Sequence, residues 1–576
     1  MSLPWQPPLD DIAFLLGPWL RARDDWKRIP RFAALDLDTA EAVLAEAGRF
    51  CAEVLAPLNA VGDLQGCRLV DGCVRTPDGF AQAYRRYVAD GWPALARDPE
   101  WGGQGLPALL ELAFTEMQVG ANHAWTMYPG LLAGAVACLQ AHASPDVQAR
   151  FLPPLVGGEW LATMCLTEPQ AGSDLSLLRT RAVPAADGSV RITGAKVFIS
   201  GGGQDLTPNI VHLVLARLPD APPGTRGISL FVVPDMLEDG SRNGVFVDGL
   251  EHKMGLHGSA TTALRFEGAV GWRVGEAHRG LPAMFVMMNA ARLHAAMQGV
   301  AHAARASELA HAYAHQRRQM RAEPRMEPEQ PADPIAAHPP IRHLLRCLRG
   351  WSEQMRAAGY WLGHLIDLHE HAPDADERRR AGMLVELLTP VAKAHFTECG
   401  HLLANRALQA FGGYGYVREY GIEQVVRDSR IAMIYEGSNE IQALDLLQRK
   451  LLADDGARLT VFADECERVA AKAEGAGLAA AAGVLRRLCR RLSAAFERVR
   501  AAAASDASAP ARVADTFLRA TGQLLLACAC VRTAAVASGD TGAGADACER
   551  AERALWMLGE LRLEFNAQLA RLRATS

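Results

Sequence analysis

The sequence predicts a multidomain α+β protein: helices first, then a β-domain, then helices again with a further helical module at the end. Three observations predict it. At 576 residues the chain is too long for one ordinary hydrophobic core, so three or four domains or subdomains are expected. Apolar residues in "DTAEAVLAEAGRFCAEVLAPLNA" recur at three- and four-residue spacing, the period of a helix. In "RTRAVPAADGSVRITGAKVFIS" the pattern shortens to strand, Asp187-Gly188 turn, strand, a second turn and strand.

In chain order, residues 1–35 read as an arm bearing tryptophan and proline, and 36–160 as a helical domain broken by the glycine-rich "WGGQGLP" (Trp101–Pro107). "NIVHLVLARL", "GISLFVVP" and "ATTALRFEGAVGW" extend the strand pattern, so 161–275 is expected to be a domain of short antiparallel strands. Helical periodicity resumes over 276–450. It is interrupted by "EPRMEPEQPADPIAAHPP", whose prolines forbid a continuous helix and imply a long surface connection. Residues 451–576 shift towards Ala, Arg and Leu and fit three or four amphipathic helices, with "ASDASAP" (Ala504–Pro510) and "SGDTGAGAD" (Ser538–Asp546) as linkers. No internal repeat is present.

Composition narrows the function. An apolar fraction of 49% and a charged fraction of 22% are those of a soluble globular protein, and a formal charge of -5 gives no overall attraction to nucleic acid. The first twenty residues carry acids and no basic n-region, unlike a signal peptide. No run of about 18 apolar residues is visible, so no membrane span is expected. The 12 cysteines are scattered, with no CxxC pair, which suggests reduced thiols in the cytoplasm.

Four motifs bear on chemistry. "MCLTEPQAGSDL" (Met164–Leu175) is a strand and a polar loop; taken alone a plain strand and turn is the better reading, and the functional one uses the Thr167 and Ser173 hydroxyls and exposed N–H groups to hold a polar heterocycle and phosphate oxygens. "FGGYGYVREYG" (Phe411–Gly421) sets four glycines among aromatics, either a helix–helix turn or a close approach to a ligand. It is not a dinucleotide fingerprint, because GxGxxG after a strand is missing. His311 and His315 have a spacing that metal sites use, but nothing completes the pattern, and no metal is expected. Glu436 stands between Tyr435 and Gly437 in "IYEGSNEIQALDLLQRK", where Ser438 can cap the following helix. Its carboxylate is either helix-end electrostatics or a general base, and the segment alone fits both.

These segments occur together and in order. Through "GGQGLP", "CLTEPQAGSD", "GAKVFISGG", "HKMGLHGSATTALRFEGAVG", "YAHQRRQM" and "QAFGGYGYVREYGIEQVVRDSRIAMIYEGSNEIQ", the chain resembles the acyl-CoA dehydrogenase family over about residues 36–450. "WQPPLDDIAFLL", "EPQAGSDL", "MFVMMNAARL", "PADPIAAHPPIR" and "YEGSNEIQALDLLQRK" resemble its long-subunit branch, which includes 3-methylmercaptopropionyl-CoA dehydrogenases.

The resemblance implies an N-terminal helical domain, a β-barrel-like domain and a C-terminal four-helix bundle, with FAD held non-covalently between the last two. It implies Glu436 as the base that takes the α-proton of an acyl-CoA thioester while a hydride leaves the β-carbon for flavin N5. The Glu436 main-chain N–H, with a ribityl hydroxyl, would polarise the thioester carbonyl. FAD contacts fall on Cys165, Leu166, Thr167, Gly172, Ser173, Phe198, Ile199, Ser200, Arg317, Gln409, Gly412, Gly413, Ser438 and Glu440. Substrate contacts fall on Ser173, Asn289, Arg292, Tyr128, Tyr435 and Gly437. Phe198 stands where many relatives have tryptophan, Gln170 replaces a common glycine, and the residues after Arg317 depart from the usual RxQFG.

"NHAWTMYPGLLAGAV" (Asn122–Val136) has the family position of the acyl pocket, and the bulk of Trp125, Met127 and Tyr128 points to a short or medium acyl chain, sulfur-bearing chains included. The resemblance also implies an electron-transfer flavoprotein as acceptor and a homodimer whose C-terminal extension covers the face used by tetramers. Two alternatives share the scaffold. One is a DNA-associated protective flavoprotein, for which "LRRLCRRL" (Leu485–Leu492) would be the basic surface. The other is an acyl-CoA oxidase.

Overall fold

A computed structural model describes residues 4–539 and 545–575. The chain divides into two compact units. One consists of Met1–Gly48, Pro107–Gly120 and Ala295–Ser576, the other of Arg49–Leu106 and Ala121–His294.

The second unit contains the β-structure. A hairpin, β1 (Arg68–Val70) and β2 (Cys73–Arg75), lies inside the region expected to be helical. Asp71 and Gly72 form its turn, both with positive φ (51° and 73°), as a two-residue hairpin loop requires. The larger sheet has seven strands: β3 (Leu161–Cys165), β4 (Arg181–Pro184), β5 (Val190–Ser200), β6 (Ile210–Arg217), β7 (Ile228–Pro234), β8 (Val245–Leu250) and β9 (Thr261–Val274). The order β6-β4-β5-β9-β7 closes through β6–β7 pairing, while β3 joins β6 and β8 joins β9. The sheet therefore closes like a barrel, but it is mixed rather than antiparallel, because β3 runs parallel to β6. The second turn expected near Thr193-Gly194 is instead a register shift inside the continuous strand β5. The extra residue there is Gly268 of β9, with φ 66°, so β5 continues without a turn.

Strands β6 and β7 are apolar on both faces because two cores meet across them. Val211, Leu213 and Leu215 face a cluster that includes Leu139, Phe151 and Leu155 from helices, and Val214 and Ala216 face a second cluster with Ile192, Phe231 and Phe266.

The first unit is helical. Long helices span Gly280–Gln316 (entering this unit at Ala295), Pro339–His371 and Ala375–Phe411. Between the first two, the proline-rich connection is organised around the buried carboxylate of Asp333. It accepts from the amides of Ala322 (2.9 Å), Met326 (3.1 Å) and Glu327 (2.8 Å) and from Arg325 Nε (2.6 Å). The extension forms helices Ala457–Gly475, Ala479–Ser505, Ala509–Gly539 and Ala545–Thr575, and residues 540–544 of the expected second linker lie outside the described residues. Ala509–Gly539 is long and apolar enough to cross a membrane by composition, contrary to expectation, but most of it is buried inside the protein, as in a core helix. It packs closely on Ala375–Phe411: a Cβ on Gly522 would lie 2.4 Å from His395, and Arg519 pairs with Glu398 at 2.9 Å. Within the arginine-rich stretch Arg486 is paired with acids, bridging Glu467 (2.8 Å) and Glu474 (2.9 Å).

The N-terminal arm is largely helical and is held by charge. Arg356, 4% exposed, bonds Glu116 (2.8 Å) and Asp11 (2.6 Å), and Arg550 of the last helix also reaches Asp11 (2.8 Å). Burial would lower the Arg356 guanidinium, but the two carboxylates raise it; Asp11 is correspondingly lowered against its own burial.

Candidate active site

In the β-containing unit, strand β3 ends at Cys165 and the chain turns through Leu166–Gly172. Glu168 and Ala171 exchange N–H···O bonds at 3.0 Å each way, closing the turn. The Glu168 carboxylate is buried inside it. It accepts from the amides of Arg179 (2.7 Å) and Thr180 (3.0 Å), the Thr180 hydroxyl (2.6 Å), Gln170 Nε2 (2.6 Å) and Lys196 Nζ (2.9 Å). Burial alone would raise this carboxyl; Lys196 and the Thr180 and Arg179 donors override it and bring it down to about 2. Lys196, fully buried on β5, also donates to the Leu166 carbonyl (2.9 Å), and the Val197 amide donates to Thr167 O (2.9 Å). The loop after β3 and the end of β5 are thus tied together.

Beyond that tie stands Phe198. Its φ is 60°, and the residue is 63% exposed, in a break of the β5–β9 register between Lys196 and Ile199. A left-handed, solvent-facing aromatic is costly twice over, and such outliers cluster at ligand sites. Gly172 and Ser173 are exposed, and a Cβ on Gly172 would meet nothing. Thr167 and Ser200 are half-buried, whereas the side chains of Cys165, Leu166 and Ile199 point into the core, so those three offer only backbone to a ligand.

Asn289 and Arg292 lie three residues apart on one helix face. Arg292, 4% exposed, donates to Asn289 Oδ1 (3.3 Å). Tyr128 departs from expectation. It is 2% exposed, and its hydroxyl donates to Gly258 O (3.0 Å), accepts from the Ala260 amide (2.9 Å) and contacts Cys67 Sγ (3.4 Å). Trp125 is wholly buried among Phe50, Tyr84 and Tyr87, with Nε1 donating to Phe80 O (3.2 Å). The bulk of both side chains fills the core, so it gives no measure of acyl length.

In the helical unit, Arg317 directly follows the helix Gly280–Gln316, and its guanidinium stands 5.4 Å from the centroid of Tyr414. Tyr313, one turn earlier, stacks on Phe411 at 4.2 Å. Gln409, Gly412 and Gly413 are exposed beside this cluster, and a Cβ on either glycine would meet nothing. A guanidinium, open glycine backbone and an amide form a donor set for an anionic dinucleotide.

Glu436 lies in the same unit. It has φ 57°, followed by Gly437 at 83°, so the chain makes two successive left-handed steps. Carbonyls in such a turn leave the helical ladder, and buried side chains take them up. Gln442 Nε2 donates to Glu436 O (2.9 Å), and Lys393 Nζ donates to Gly437 O (2.7 Å) and Asn439 Oδ1 (3.2 Å). Asn439 Nδ2 returns to Ala394 O (3.1 Å), and the Tyr435 hydroxyl bonds Gln298 Oε1. Burial, then the neighbouring Glu436, pushes the Tyr435 phenol up, so it stays neutral. Ser438 occupies the cap position of helix Asn439–Leu444 but makes no side-chain cap bond, contrary to expectation. The exposed Glu440 is lowered by its own backbone amide and by the Ser438 hydroxyl, which therefore serves Glu440.

Sequence reasoning missed Glu168, Lys196, Lys393 and Gln442, and also His212. That imidazole, wholly buried on β6, bonds Thr163 Oγ1 (2.6 Å) and Asp235 Oδ1 (2.7 Å). Burial would lower it, but Asp235 raises it to about 10. A polar residue inside an apolar run was the available signal. His311 and His315 each use Nδ1 on the carbonyl one turn back, at 2.8 Å. Among the described residues no group of three or more His, Cys, Asp or Glu side chains is placed to hold a metal.

Each unit by itself has groups that fit part of a flavin dinucleotide: in the β-containing unit an exposed aromatic at Phe198 and hydroxyls at Thr167 and Ser173, and in the helical unit Arg317 and open glycine backbone at Gly412 and Gly413. Three domain profiles of one family match the chain: the acyl-CoA dehydrogenase N-terminal domain over residues 38–159, the middle domain over 163–269 and the C-terminal domain over 278–451. A 3-methylmercaptopropionyl-CoA dehydrogenase of Ruegeria pomeroyi is 40% identical, covering 94% of this chain and 93% of its own length. A broad-specificity linear acyl-CoA dehydrogenase of Mycobacterium tuberculosis is 34% identical, covering 90% and 88%. The fold matches an acyl-CoA dehydrogenase of Bacillus anthracis solved with FAD, with TM-score 0.76 and 20% identity over 96% of this chain and 91% of that one. The chain belongs to the acyl-CoA dehydrogenase family, and it is an FAD-dependent oxidoreductase acting on acyl-CoA thioesters.

Proposed function

We propose that Glu436 is the base of this dehydrogenation and that the acyl group is short, with a 3-thioether chain as the leading candidate. The observation that carries the first part is the left-handed turn at Glu436–Gly437, held at both carbonyls by buried donors. Such a turn costs backbone energy, and outliers of this kind cluster at ligand and catalytic sites. The carboxylate removes the α-proton, and the Glu436 N–H polarises the thioester carbonyl as charge develops there. Bound FAD supplies the acceptor for the hydride leaving the β-carbon.

In this reading Phe198 packs on the flavin edge, and Thr167, Gly172, Ser173 and Ser200 serve its polar rim. Arg317, Gln409, Gly412 and Gly413 hold the pyrophosphate and adenosine half. Ser438 acts through Glu440. Asn289 and Arg292 take the CoA moiety, Arg292 by charge-assisted bonding. The acyl assignment is supported by the Ruegeria relative, whose substrate is in its name.

We further propose an electron-transfer flavoprotein as acceptor, a homodimer and a cytoplasmic setting. Tyr416, 89% exposed beside Tyr414 and Val417, supports a protein contact at that glycine loop. Twelve free thiols support a reducing compartment.

The test is anaerobic mixing with a panel of acyl-CoAs. Flavin bleaching by short and 3-thioether acyl-CoAs, with kcat/KM falling towards long chains, is expected. A maximum at palmitoyl-CoA overturns the substrate assignment.

A further inference from the structure

Six of the 60 basic residues are lysine, and two of those six, Lys196 and Lys393, are fully buried. An ammonium is costly to bury, and a helix interior position such as 393 would accept an apolar residue for packing alone. Lys393 lies on the helix Ala375–Phe411 and spends its donors on the turn that carries Glu436: 2.7 Å to the Gly437 carbonyl and 3.2 Å to Asn439 Oδ1. Asn439 is anchored back on the same helix at Ala394 O (3.1 Å).

We propose that Lys393 is a positioning residue for the base. Its ammonium pins the Gly437 carbonyl and so fixes the left-handed steps at Glu436 (57°) and Gly437 (83°) from which the Glu436 carboxylate and N–H are presented. The inference rests on the reading of Glu436 as base. Gln442 holds the preceding carbonyl from the other side, so the turn is clamped at two consecutive peptides. Without the ammonium, the Gly437 carbonyl and Asn439 lose a charged donor, the peptide plane is released to rotate, and the carboxylate loses its fixed aim.

The test isolates proton removal. Acetyl-CoA has no β-carbon, so exchange of its α-protons into D2O, followed by mass spectrometry, reads base function without oxidation. Holoenzymes of wild type, Lys393→Met, Asn439→Ala and Glu436→Gln are compared, with FAD affinity and thermal midpoint measured on each. The expected result is exchange in wild type, none above background in Glu436→Gln, and a loss of at least tenfold in Lys393→Met with FAD affinity within threefold of wild type. Wild-type exchange rates in a folded Lys393→Met overturn the proposal. Should Lys393→Met not fold, Asn439→Ala carries the test: a loss of at least threefold supports the clamp, and an unchanged rate overturns it. No exchange in wild type, or exchange retained in Glu436→Gln, counts against Glu436 as base and so removes the ground the proposal stands on.

Discussion

The ammonium of Lys196 lies 2.9 Å from the carboxylate of Glu168, and both side chains are buried. The pair closes the loop after β3 onto β5, the strand that carries Phe198. Lys196→Met leaves Glu168 charged and buried without its cation, which costs about 3–5 kcal/mol in comparable pairs. The expected outcome is a large drop in the denaturation midpoint and weakened FAD binding by fluorescence titration. The double variant Lys196→Met/Glu168→Gln should recover part of the stability, because it leaves no lone charge.

Phe198 should show a trade between stability and function. Replacement by glycine removes the left-handed penalty of an L side chain, about 1 kcal/mol, so the apoprotein should be no less stable by chemical denaturation. Its flavin affinity should fall severalfold, since the exposed ring is gone.

His212 gives a pH dependence with a definite sign. Asp235 raises the imidazole from 6.5 in the unfolded chain to about 10 in the folded one. The folded state then binds the extra proton, so its contribution is complete below pH 6.5 and is lost as pH rises towards 10. Thermal midpoints measured across pH 6–10 should fall on that side. Asp235→Asn should flatten the slope.

The arm is held by Arg356. Arg356→Met removes the guanidinium from buried Glu116 and leaves Asp11 with Arg550 alone, and about 3–5 kcal/mol is again expected. Limited proteolysis should then cut within the first 35 residues before any loss of the β-containing unit.

The candidate site residues sit in short contiguous motifs, but no single stretch named them. Phe198, Arg317, Gly412 and Glu436 were named only through the resemblance of several motifs in order, since each stretch alone also fits an ordinary turn or cap. The residues that aim them were not legible. Lys393 is 43 residues before Glu436, Lys196 pairs with Glu168 across 28 residues, and nothing local in either helix or strand marks a buried ammonium. The β-domain was readable as strands, but its parallel β3–β6 pair and the bulge in β9 depend on closure of the sheet, which a period-two pattern does not encode. Trp125 and Tyr128 misled for a related reason: bulk in a pocket segment and bulk in a core look alike until partners are known. The helix Ala509–Gly539 shows the same ambiguity, since a buried core helix and a spanning helix share composition.

The most direct test of Glu436 is anaerobic reduction of the bound flavin by a short acyl-CoA in wild type and Glu436→Gln. The account predicts full bleaching in wild type and a rate lower by about 10²–10⁴ in the variant, the range for loss of a general base, with the flavin still bound and its oxidised spectrum unchanged. Bleaching of the variant at the wild-type rate would contradict the account.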